Sequence, residues 1–165
     1  MRRPMSKMPL AALALLAILF MISLNGCADQ KKQARGLVQS ALKHREAQRH
    51  AEAIQLLNRS IALDPALSEA WYLRGLSHAA LKHEKDSIAD LTAAVKLKPE
   101  WNEAWLALGV AQDSSGETAL AVKSYSEAIQ QGIRTSAAWF DRATAYAELG
   151  EPEKSLDDLQ TVLPC

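Results

Sequence analysis

Between residues 68 and 101 the apolar positions fall at helical spacing. Trp71 and Gly75 stand four apart and so share one face of a helix. Ser87, Ile88, Leu91, Ala94 and Val95 form a second series with steps of three and four, which predicts a second amphipathic helix. Pro99 ends it, because proline cannot extend the hydrogen-bond ladder. The resulting hairpin has one apolar side that it cannot bury alone. It needs a copy of itself stacked against it.

The copies are present at a spacing of 34 residues, without gaps. Trp71 aligns with Leu37, Trp105 and Trp139. Gly75 aligns with Ala41, Gly109 and Ala143. Leu91 aligns with Leu57, Tyr125 and Leu159, and Pro99 aligns with Pro65. The units are 34–67, 68–101, 102–135 and a shortened 136–165. This pattern predicts an all-α solenoid of about four helix hairpins.

The pattern resembles the tetratricopeptide repeat (TPR) family. In its terms Trp71, Trp105 and Trp139 hold the aromatic position, and Gly75 and Gly109 the small one. Ala53 and Ala121 hold the small position of the second helix, Tyr125 its large aromatic, and Pro65 and Pro99 the closing proline. The resemblance implies a right-handed superhelix of four hairpins with the tryptophans buried between helices. Gly132-Ile133 replaces the proline of repeat three, so a looser junction is expected there. No polar cap helix is evident after repeat four. Leu156, Leu159 and Leu163 are the residues expected to leave an apolar side open.

A leader precedes the repeats. Arg2, Arg3 and Lys7 are followed by an uncharged run, 10–24, of fifteen residues. That is short of the roughly twenty needed to span a bilayer and fits a secretory signal. It ends in Leu24-Asn25-Gly26-Cys27, which resembles a bacterial lipoprotein box. The resemblance implies a signal peptide over 1–26, cleavage before Cys27, diacylation of its sulfur and acylation of its new amino group. Several acyl chains anchor firmly where one does not. Ala28, with Asp29 one residue later, points by the same resemblance to the outer membrane facing the periplasm. The outer face of the plasma membrane is the alternative. Residues 27–33 then form the lipidated cysteine and a short solvated tether, at most about 20 Å long when extended. Lys31, Lys32 and Arg35 stand near the headgroups. With Cys27 acylated, Cys165 is an odd thiol, either inert or a site of intermolecular pairing.

Charge is lopsided. Residues 27–98 carry 12 basic and 8 acidic side chains, and residues 99–165 carry 4 basic and 11 acidic. No basic face with interleaved aromatics supports nucleic-acid binding. Catalytic chemistry is also unsupported. Gly75-Leu76-Ser77-His78 lies inside a predicted helix and lacks a nucleophile elbow. There is no phosphate-binding glycine loop, no HExxH and no paired cysteines at metal spacing. His44 and His78 share one repeat position, and helix packing explains them better than a metal. Neither cofactor nor metal is expected.

What remains is a binding surface. By the resemblance, the first helix of each repeat lines a concave groove. Its fifth and ninth positions here are Val38 and Leu42, Tyr72 and Leu76, Leu106 and Val110, and Phe140 and Thr144. The outer positions carry Arg35, Arg45, Glu46, Glu69, Glu103, Asp113 and Glu148. Such a channel suits an amphipathic helix or an extended apolar segment with basic flanks. Family members that clamp a chaperone's C-terminal carboxylate use lysine and asparagine pairs. Val38, Leu42, Leu73 and Asp141 stand at those positions here, so no cationic pair points inward. The expectation is a non-catalytic scaffold, lipid-anchored in a bacterial envelope, that binds envelope proteins in a pilotin-like role or as an adaptor for cell-wall enzymes. The competing expectation is a structural protein that dimerises through its uncapped fourth repeat.

Overall fold

A computed structural model describes the backbone of residues 10–133 and 135–162, and side chains from Cys27 onward apart from Arg134. The described residues form eight α-helices and no strand: α1 (Leu10–Glu46), α2 (His50–Leu63), α3 (Ser68–Ala80), α4 (Glu84–Leu97), α5 (Asn102–Ser114), α6 (Thr118–Gln130), α7 (Ser136–Glu148) and α8 (Pro152–Val162). Leu163 and Cys165, expected at the open end, lie outside the described residues, as do Arg2, Arg3 and Lys7.

Each helix packs on the next in the chain, and the odd-numbered helices also touch one another: α1 with α3, α3 with α5, α5 with α7. The even-numbered helices make no such contact among the described residues. A stack of hairpins whose first helices meet and whose second helices splay is curved, with the first helices inside. The odd helices therefore line the concave face.

Every hairpin turns in the same way. Gln48, Lys82, Gly116 and Gly150 follow one another at the repeat period, and all have positive φ (58°, 61°, 82° and 74°). The residue after each donates its amide to a carbonyl five positions back: Arg49 to His44, His83 to His78, Glu117 to Gln112, Glu151 to Tyr146. This is the left-handed closure that ends many helices. Glycine accommodates it freely in the last two repeats, whereas Gln48 and Lys82 adopt it against their Cβ.

The tryptophans depart from expectation. Trp71, Trp105 and Trp139 are half-buried, not enclosed. The indole needs a hydrogen-bond acceptor, which holds it at the repeat edge. Trp71 Nε1 donates to the Pro65 carbonyl at 2.9 Å, and Trp105 Nε1 to the Pro99 carbonyl at 2.7 Å. The enclosed interior is made instead of Ala41, Ala53, Leu57, Ala70, Leu91, Ala94, Ala104, Ala121, Tyr125 and Ala138.

Two polar forks run through this interior, and helical periodicity gave no sign of them. Arg74 donates through Nε and Nη2 to the two carboxylate oxygens of Asp90, at 2.7 and 2.6 Å, and through Nη1 to Asn58 at 2.7 Å. Arg142 does the same to Asp158 at 2.8 and 2.7 Å, and to Ser126 at 2.9 Å. Each arginine thus ties its own hairpin to the second helix of the preceding one. The forks recur every second repeat, because repeat one has Ser40 and Leu56 at these positions and repeat three has Leu108 and Ser124.

Two further expectations change. The stretch 28–33, expected as a solvated tether, is helical and continuous with α1. Ala28, Gln30, Lys31, Lys32 and Gln33 are good helix formers with no glycine or proline among them. The junction after repeat three is closed differently from the others, without proline. Gly132 takes φ 87°, and Ile133 turns inward to pack with Ala128 and Ala138.

Candidate peptide-binding groove

The concave face is built from the inward sides of α1, α3, α5 and α7. Of the residues expected to line it, Val38 does not. It is 2% exposed and sits in the cluster of Ala41, Ala53, Leu57 and Leu73. Leu42 and Tyr72 pack on that cluster, and Tyr72 and Leu76 on the next. Leu106 is likewise half-buried. Val110 is 45% exposed and Phe140 57% exposed.

This gradient along the fifth position has a physical cause: each repeat covers the one before it. Tyr72 packs on the cluster that holds Val38. Trp101, at the junction before α5, lies against Tyr72 with ring centroids 4.5 Å apart and planes tilted by 42°. Leu106 packs with Ile133 and Ala138. Phe140 belongs to the last described hairpin. The accessible apolar lining is therefore Leu42, Tyr72 and Leu76 in part, and Val110 and Phe140 most.

The electrostatics divide the groove. In its first half Arg45 is half-buried, and its guanidinium pKa is lowered by desolvation, partly offset by Tyr72. In its second half, Gly109 opens a passage. A Cβ there would lie 2.5 Å from the Tyr125 ring, so the missing side chain is what lets Tyr125 reach across from α6. Burial pushes the Tyr125 phenol pKa up, and Asp113, Asp141 and Glu148 push it further. Burial and the neighbouring Glu148 raise the Asp113 pKa, partly offset by the nearby Thr118 hydroxyl, which itself donates to Glu148 at 3.4 Å. Burial and Asp113 raise Asp141. Asp113 Oδ1 is enclosed and has no hydrogen-bond partner. A cationic group arriving here would relieve both the repulsion and the missing contact.

A carboxyl with a raised folded-state pKa destabilises the fold when ionised. The cost is complete above the raised pKa and fades as pH falls toward the unfolded value. Asp141→Asn is therefore expected to stabilise the chain at pH 7 by about 0.5 kcal/mol, the scale of a like-charge pair. The gain should shrink as the solution is acidified through the carboxylate range. Urea unfolding at a series of pH values checks this, and an unchanged or growing gain would contradict it.

Trp101 lies outside the helix positions expected to line the groove, and Asp141 was expected there only as a clamp position that carries no cation. Asp141 follows Phe140 directly, so the position after the fifth was the available signal. A histidine contact that the repeat positions did not indicate also forms. His78 Nδ1 lies 3.5 Å from His83 Nδ1, across the α3–α4 turn.

The tetratricopeptide repeat family model matches residues 38–99, 85–135 and 115–165, most of the chain. The chain belongs to the tetratricopeptide repeat family. No curated protein sequence matches it. Among solved structures, a crystal structure of MamA superposes with a TM-score of 0.77 at 22% identity, covering 82% of this chain and 78% of that one. MamA from Desulfovibrio magneticus RS-1 gives 0.73 at 17% identity, covering 80% and 75%. The first TPR domain of Spaghetti (RPAP3), bound to the HSP90 peptide SRMEEVD, gives 0.71 at 19% identity, covering 73% and 95%. At these identities the likeness establishes the TPR solenoid fold.

Proposed function

We propose that this protein is a non-catalytic, lipid-anchored scaffold of a bacterial cell envelope that holds a segment of a partner protein in its concave face. The observation that carries the reading is the second half of the groove. There, exposed Val110 and Phe140 occur alongside three carboxylates, two of them with raised pKa values. An apolar surface flanked by destabilising like charge is costly to keep in a stable fold and useful for binding. The occupant it suits is an amphipathic helix or extended apolar segment with Lys or Arg beside it. An acidic peptide such as SRMEEVD is a poor fit, because Val38 and Leu73 are buried and Asp141 adds negative charge.

The anchor rests on Leu24-Asn25-Gly26-Cys27. Metabolic labelling with palmitate that disappears in Cys27→Ser would support it, and equal labelling would refute it.

The groove is tested by photo-crosslinking in the native cell from Val110 and Phe140, with exposed Lys82, at the α3–α4 turn, as control. The expected result is one protein captured from both groove positions, absent from Lys82 and lost on Asp141→Lys. The same bands from all three positions, or none, would refute a groove-bound partner. A second reading, self-association through the fourth repeat, is favoured by Leu156, which is 55% exposed on α8. Capture of a second copy of the chain, abolished by Leu156→Asp, would support it instead.

A further inference from the structure

The left-handed turn between α3 and α4 does more than reverse the chain. The His83 amide donates to the His78 carbonyl at 2.9 Å, which brings two histidines five positions apart onto the same spot. Their Nδ1 atoms face each other at 3.5 Å, with ring centroids 5.7 Å apart and planes at 40°. That separation is long for a hydrogen bond. It is close to the roughly 3.4 Å between two nitrogens each about 2.05 Å from a tetrahedral zinc ion. Asp86, in the first turn of α4, adds a carboxylate, and all three ligand atoms lie within 4.8 Å of one another. We propose that His78, His83 and Asp86 form a divalent-metal site, best suited to zinc, that pins the end of α3 to the start of α4.

The surroundings favour metal over a histidine–histidine hydrogen bond. His78 Nε2 lies 3.8 Å from Asp90 Oδ2, and Asp90 is held in place by both arms of the Arg74 fork. A carboxylate facing the outer ring nitrogen favours the proton there and leaves Nδ1 as the free donor to a metal, the arrangement typical of histidine ligands. His83 and Asp86 are exposed, and a surface hollow of about 340 Å³ opens beside them, so an ion and a water in the fourth position have access.

The chain supplies its own comparison. At the three equivalent positions repeat one has His44, Arg49 and Glu52, repeat three has Gln112, Glu117 and Leu120, and repeat four has Tyr146, Glu151 and Lys154. The hairpin turn recurs in every repeat, while the full ligand set occurs in repeat two alone.

The test uses the tag-free full chain in nonionic detergent, carrying Cys27→Ser and Cys165→Ser so that thiolates do not compete. Zinc is titrated against a chromophoric chelator. One equivalent should bind, weakened at least about tenfold by His83→Gln and by Asp86→Asn. His50→Gln, which removes a histidine outside the cluster, should leave binding unchanged. Zinc should also raise the melting temperature of the parent chain but not of His83→Gln. Circular dichroism checks that each variant keeps its helices. No zinc bound by the parent, parent-like affinity in His83→Gln, or equal loss in His50→Gln would each overturn the proposal.

Discussion

Replacing Asp90 alone by leucine is expected to lower folding stability by about 3 kcal/mol, and replacing Arg74 and Asp90 together by leucine to restore most of it. Asp90 is 4% exposed and accepts two charge-assisted hydrogen bonds from Arg74. Removing the aspartate leaves a half-buried guanidinium facing a hydrocarbon, with Asn58 as its remaining hydrogen-bond partner. Removing one member of such a pair costs far more than removing both, because the penalty comes mainly from the stranded charge. The same chain shows that the fold accepts leucine at either position of the pair. Leu56 stands at the aspartate position of repeat one and Leu108 at the arginine position of repeat three. The double variant also loses Arg74 over the Trp71 ring, 4.8 Å from its centroid, which leaves about 0.5–1 kcal/mol unrecovered. Urea unfolding of the parent, both single variants and the double variant closes the cycle. A double variant no more stable than Asp90→Leu would mean that the fork contributes more than charge compensation.

The second large effect lies at Gly109. Alanine is a better helix former than glycine by about 1 kcal/mol, so a solvent-facing glycine in α5 would gain from the change. Gly109 faces the Cδ1–Cε1 edge of a tyrosine ring that is 1% exposed and enclosed by its neighbours. Gly109→Ala is therefore expected to be net destabilising by about 1–3 kcal/mol. Repeats one and four solve the same contact with Ala41 against Leu57 and Ala143 in register with Leu159. Adding Tyr125→Leu to Gly109→Ala recreates that pairing and should recover stability. Tyr125→Leu by itself should be destabilising, since it leaves a void where the ring lay. Equal stability of Gly109→Ala and the parent would show that the ring has room the structure does not give it.

The helices were legible because the apolar positions repeat at one period without gaps, so each repeat corroborated the others. Pro65 and Pro99 marked two of the three junctions. The third, at Gly132 and Ile133, had to be seen, because replacing proline there exchanged one turn geometry for another. Polar interior groups were the least legible. Arg74, Asp90, Arg142 and Asp158 fall at spacings that read as solvent-facing, and a period of one repeat conceals a pattern with a period of two. The groove was legible as a set of helix positions and not as a surface. Val38 and Phe140 occupy the same position, yet one is enclosed and the other open, because covering comes from the following repeat. The positive φ at Gln48 and Lys82 was hidden for a simpler reason: neither residue type advertises it as glycine does at Gly116 and Gly150.

The continuity of α1 bears on how a lipid-anchored chain would be presented. If the leader is removed before Cys27, the acylated residue becomes the first residue of the same helix that forms the inner wall of repeat one. Six helical residues rise about 9 Å, less than half of their extended reach. The link is then a stalk and not a string. The amide groups freed at its start would point at the headgroups, where the positive end of the helix dipole is welcome beside anionic lipid. A solenoid mounted on a stalk sweeps a narrow cone. Its concave face would meet membrane-bound partners at one height and in few orientations, and inserting Gly-Gly after Ala28 would release both constraints without altering a residue of the groove.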